Sequence, residues 1–90
     1  MDTATKLLLL EQLAARLGVE VRYEPMSQDR AAVAGGLCRL RGRTMVIVDA
    51  KAPLAEQVGV LLDALSELDT DTVFVPPLIR RALARRREDR

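Results

Sequence analysis

An α+β domain, with a small antiparallel sheet of about three strands packed by three helices, is what the hydrophobic periodicity of this 90-residue chain predicts. Three observations lead there. Leu7, Leu10, Ala14 and Leu17 recur three or four residues apart just before Gly18, the spacing of one helix face. Val19, Val21 and Tyr23 then alternate with Glu20, Arg22 and Glu24, the period of a half-buried strand. Finally, Thr44-Met45-Val46-Ile47-Val48 follows a glycine turn and precedes Pro53 and a second helical stripe.

Taken in order, the first helix covers residues 3–17, with Asp2, Thr3 or Thr5 as its cap and Gly18 as the left-handed residue past its end. Four consecutive leucines, Leu7 to Leu10, span more than one face at 100° per residue, so Leu8 or Leu9 falls off the core stripe. The first strand is 19–24 and Pro25 ends it. Residues 26–34 read as a loop, and Gly35-Gly36 opens a second strand at 37–41. Arg41-Gly42 or Gly42-Arg43 forms a hairpin turn into the third strand, 44–48, which is apolar on both faces and so the most buried. Pro53 fits the first turn of a helix running to about residue 68, with Leu54, Val58, Leu61, Leu62, Leu65 and Leu68 on its stripe. Residues 71–75 leave room for a short fourth edge strand, and Pro76-Pro77 starts a last helix over 77–87. The order is α-β-β-β-α-(β)-α.

Ninety residues make a single domain, 1–90, with a basic helical end at about 80–90. With Tyr23 and Phe74 as the sole aromatics, the core is aliphatic, and small cores of this kind gain from oligomerisation. The start, Met-Asp-Thr-Ala-Thr, lacks the basic region and cleavage site of a signal peptide, and the longest apolar run is far short of a bilayer span. One cysteine, Cys38, fits a reducing compartment. A cytoplasmic protein without a membrane partner is the expectation, and 12 Arg to 2 Lys with abundant Ala suggests a bacterial one.

The composition removes much chemistry. There is no histidine, so no His-based acid, base or ligand. Cys38 and the serines lack an activating base, and Cys38 reads as a buried structural thiol on the apolar strand face. Gly35-Gly36 lacks the context of a phosphate loop. No catalytic, metal or cofactor residue is assigned, and the chain reads as non-enzymatic. Asp63 and Glu67, one helical turn apart, supply the alternative of a carboxylate or hard-cation site, against the plainer reading of a solvated helix face.

Charge is unevenly laid out. Residues 1–78 carry 8 basic and 11 acidic groups, net −3, whereas residues 79–90 carry 6 basic and 2 acidic, net +4. Between residues 54 and 79 stand Glu56, Asp63, Glu67, Asp69 and Asp71 without a base. Arg80, Arg81, Arg85, Arg86 and Arg87 therefore have three readings: a solvated end complementing the helix dipole, a contact with acidic groups of this or another chain, or a nucleic-acid contact. No aromatic residue lies among them for base stacking. Arg39, Arg41 and Arg43 flank the hairpin and protect a sheet edge.

The element order, with Leu13-Ala14-Ala15-Arg16-Leu17-Gly18-Val19-Glu20-Val21, Gly35-Gly36-Leu37, Val46-Ile47-Val48-Asp49 and Pro53-Leu54, resembles the core of ImmA/IrrE-type zinc peptidases over roughly residues 5–70. That family carries H-E-x-x-H on the helix that corresponds to residues 56–68. In register with it stands Asp63-Ala64-Leu65-Ser66-Glu67, with carboxylates at the histidine places and Ala64 at that of the base. The resemblance thus implies a degenerate, non-catalytic relative. The expected function is a cytoplasmic protein-interaction or scaffold domain that self-associates as a homo-oligomer. Leu8, Leu9, Leu78 and Ile79 are its expected contact residues, and a nucleic-acid-binding module using the C-terminal arginines is the alternative.

Overall fold

The computed structural model describes residues 1–25 and 36–89. The loop expected at 26–34, together with Gly35 and Arg90, lies outside the described residues. The fold is α+β: three helices and a three-stranded mixed sheet.

Helix α1 (Thr3–Arg16) begins where the Asp2 carboxylate accepts the Thr5 amide at 2.7 Å, which selects Asp2 among the three candidate caps. It ends at Leu17, and Gly18 turns the chain out with φ 75°. Leu10, Leu13 and Ala14 are buried, while Leu8 is 52% exposed, because four consecutive leucines span more than one helix face. Strand β1 (Val19–Glu24) follows at once.

Strands β2 (Leu37–Leu40) and β3 (Arg43–Asp49) form an antiparallel hairpin. Its two-residue turn has Arg41 at φ 53° and Gly42 at φ 78°, the pair of positive values that lets the flanking strands keep their twist. The sheet order is β1-β3-β2, with β1 parallel to β3. This corrects the expectation of an antiparallel sheet. The central place goes to the strand that is apolar on both faces, so β2 must form at the far side of β3. Returning through the β2–β3 hairpin then runs β3 along β1 in the same direction. Periodicity alone is blind to this choice, because side chains alternate identically in either pairing.

Two of the helices pack directly on the sheet face that carries Val19, Val21, Val46 and Val48, and the last helix packs on those two. Helix α2 (Leu54–Leu65) is shorter than expected, since the chain tightens into turns after Leu65. Pro53 is its cap and offers no side-chain bond. Gln57, 6% exposed, instead ties the junction: its amide nitrogen donates to the Asp49 carbonyl at 3.2 Å and to that of Ala52 at 3.1 Å. Two part-buried carbonyls, at the end of β3 and in the turn after it, thereby gain a side-chain donor. Helix α3 (Pro77–Glu88) starts at a proline whose missing amide costs nothing in the first turn.

Residues 71–75 add no strand. Val75 is buried among the helices and Val73 is half-buried, so the segment fills the helical layer rather than the sheet edge. The core joins Leu10 and Leu13 of α1, Leu61 and Leu65 of α2, Ile79 and Leu83 of α3, and Val46 and Val48 of β3. On the free face of the sheet, register places Cys38 beside Met45. Cys38 is half-buried rather than enclosed, because no described helix covers that face.

Tyr23, the sole tyrosine, is at the end of β1, where its hydroxyl donates to the Glu11 carboxylate of α1. Partial burial of the ring, then the hydrogen bond to Glu11 and its negative charge, raise the phenol above its ordinary value near 10. The neutral phenol is the favoured form. Its contribution to stability is therefore whole below about pH 10 and is lost as pH climbs through the raised native value. Titrating tyrosinate absorbance should show ionisation above pH 10 in the folded protein, with a partial return in Glu11→Ala and a full one in denaturant; a native midpoint at about 10 contradicts the pairing. For the hairpin, Arg41→Asn places a residue that tolerates positive φ and should raise stability by about 0.5–1 kcal/mol, read as a rise in the denaturation midpoint.

Candidate functional site: a cation-rimmed groove beside the last helix

Helix α3 sorts its arginines by face. Arg87 donates from Nε to the Ser66 carbonyl at 2.9 Å and from Nη2 to that of Leu68 at 2.8 Å and to the Thr70 hydroxyl at 3.4 Å. These carbonyls lie just past α2, and a guanidinium with several fixed donors suits them. Arg86 donates to the Asp63 carboxylate at 2.7 Å, and Arg80 stands 3.8 Å from that of Asp71. Three of the five expected contact arginines are thus engaged with their own chain, two of them with the acidic segment. Both ion pairs are largely exposed, so each contributes little on its own.

Arg81 and Arg85 point elsewhere. With Arg86 they border a shallow groove of about 340 Å³ whose floor holds Leu62, Leu78 and Ala82. No ion pair joins either of them to a described residue. Next to this groove a smaller pit of about 130 Å³ opens between the three helices, with Lys6 at its edge and Leu10, Val58, Leu62, Leu78, Ile79 and Ala82 around it. Leu78 is 47% exposed and is shared by both hollows.

The four expected apolar contact residues do not form one surface. Ile79 is 2% exposed and belongs to the core, which corrects its assignment as a contact residue. Of the adjacent pairs Leu78/Ala82 and Ile79/Leu83 on α3, the second faces inward. Leu9 is half-buried against the core. Leu8 is exposed but lies about 200° around α1 from Lys6, away from the groove. Leu78 remains. A residue the sequence reading passed over is Phe74, 70% exposed in the α2–α3 connection, where its carbonyl accepts from Arg16 at 3.4 Å. A lone phenylalanine in an acidic stretch halted by two prolines was the available signal.

A third hollow, of about 440 Å³, lies on the free sheet face between Glu20, Arg22, Leu40, Arg41, Arg43 and Met45. Glu20 and Arg22 pair with each other at 3.5 Å on its rim. Two of the three hairpin arginines are there; Arg39 is exposed on β2, opposite Thr44.

Removing the Arg87 side chain strands the carbonyls past α2, including that of the buried Ser66. Arg87→Ala should destabilise by about 1–3 kcal/mol, with the melting temperature falling about 4–8 °C per kcal/mol. Asp63→Asn, which weakens one exposed pair, should cost under about 1 kcal/mol in the same thermal melts.

The peptidase-like register meets a different geometry. Helix α2 ends at Leu65, so Asp63 and Glu67 do not stand on consecutive turns of one continuous helix. Asp63 is bound to Arg86, and Ala64, at the place of the catalytic base, is packed in the core. No described group of three or more His, Cys, Asp or Glu residues is arranged to hold a metal ion, and no described helix is long and apolar enough to cross a membrane. No protein-family model, curated protein or solved structure matches this chain.

Proposed function

We propose that this chain is a cytoplasmic protein-interaction domain that self-associates, with the groove beside α3 and the adjoining pit between the three helices as its contact face. One observation carries the reading: Leu78 stands half-exposed at the junction of two apolar hollows, rimmed by Lys6, Arg81 and Arg85. An apolar floor that excludes water inside a charged rim is the anatomy of a protein contact. The same arrangement suits nucleic acid poorly. Three of the five arginines already serve the chain's own carbonyls and carboxylates, and the groove offers no aromatic ring to a base. The ImmA/IrrE-like order of elements fits this reading as a scaffold used for contact in place of catalysis.

Sedimentation velocity over a wide concentration range tests it. The native chain should associate reversibly, and Leu78→Lys, which sets a further cation in the rim, should weaken association at least about tenfold, equivalent to 1.4 kcal/mol. A strict monomer at the highest concentration refutes self-association. Binding of a short duplex DNA that falls steeply with salt and disappears on deleting residues 84–90 would favour the nucleic-acid reading instead.

A further inference from the structure

The two flanks of α3 use their arginines differently. At 100° per residue, Leu78, Arg81, Ala82 and Arg85 share one flank. Arg80 and Arg87 share the other, where they hold the α2–α3 connection through Asp71 and the Ser66 and Leu68 carbonyls. That connection presents Glu67, Asp69 and Asp71 to solvent, and beside them Phe74, the most exposed large hydrophobic residue described. Its place on the far flank keeps the connection away from the groove of its own chain.

The pit matches what the connection offers. Its volume of about 130 Å³ is near the roughly 150 Å³ of a dry apolar cavity that takes one benzene ring. Its walls are aliphatic with Lys6 of α1 at its edge, and Arg81 and Arg85 of α3 line the adjoining groove that shares Leu62, Leu78 and Ala82 with it. The chain owns one phenylalanine, displayed next to acidic groups. We propose that Phe74 of one copy seats in the pit of a second copy, with Glu67 and Asp69 facing Lys6 and, in the adjoining groove, Arg81 and Arg85. This rests on the self-association reading above and names its two surfaces. The contact is head-to-tail: each copy keeps one unused Phe74 and one unused pit, so assembly continues past the dimer unless the rotation closes a ring.

Two exposed-site variants separate the surfaces, and thermal melts confirm that both fold. Phe74→Ala loses the knob and keeps the pit; Arg81→Glu with Arg85→Glu loses the cationic rim and keeps the knob. In sedimentation velocity the native chain should grow beyond a dimer with concentration, and each variant alone should stay monomeric. Their equimolar mixture should form a one-to-one dimer and stop there, because only one functional knob–pit pair remains. Phe74→Ala assembling like the native chain overturns the proposal, as does a mixture that stays monomeric or a variant that dimerises alone. If Leu78→Lys abolishes assembly while Phe74→Ala preserves it, the groove stands as the contact face and only its occupant is wrong. A native chain that is monomeric throughout removes both.

Discussion

The central place of β3 in the sheet is the constraint from which the rest of the molecule follows. Val46 and Val48 are fully enclosed under the helices, and Met45, on the other face, is 7% exposed. Burying an aliphatic side chain contributes about 1.5–3 kcal/mol, which favours the central place for this strand. A central β3 needs a neighbour on each side. One is supplied by the hairpin to β2, the other by β1 in parallel, and the remaining chain is three helices for one apolar sheet face. Gln57 fixes the exit from β3 into α2, which sets the helix that carries Leu61 and Leu65 into the core.

Helix α3 then converts a one-dimensional charge imbalance into a spatial one. Its core face, Ile79 and Leu83, decides where every arginine goes. Arg80, Arg86 and Arg87 fall within reach of acids and carbonyls around the end of α2, which would otherwise carry an uncompensated negative dipole end. Arg81 and Arg85 fall on the flank where the nearest surface is apolar. The chain therefore retains positive charge on one side of α3 and negative charge on the other, although its net charge is only +1.

Most elements were legible because each depends on local period and punctuation. The α1 cap, the 19–24 strand, the Arg41-Gly42 turn and the start of α3 follow from Asp2, strict alternation, Gly42 and Pro77. What escaped depends on contacts between elements. Parallel pairing of β1 with β3 is one such contact, and it leaves no trace in the period of Val19, Val21 and Tyr23. Leu78 and Ile79 are neighbours of equal hydrophobicity, and a few tens of degrees of helix rotation decides which is buried. The pit is assembled from three helices distant in sequence, so none of its walls announces it. Residues 71–75 have the composition of a strand, but Val75 is taken by the helical core.

The segregated charges and the single aromatic knob would act on different stages of association. Opposite patches on the two flanks of α3 orient approaching copies head-to-tail, an effect that fades beyond the Debye length of about 8 Å at physiological salt. Once contact is made, solvent leaves the aliphatic pit and the gain scales with the area of Phe74 and Leu78 removed from water, which salt screens little. Raising ionic strength should therefore slow encounter more than it shortens the lifetime of the contact. A nucleic-acid partner would respond differently, because its affinity derives largely from counterion release and falls linearly on a double-logarithmic salt plot.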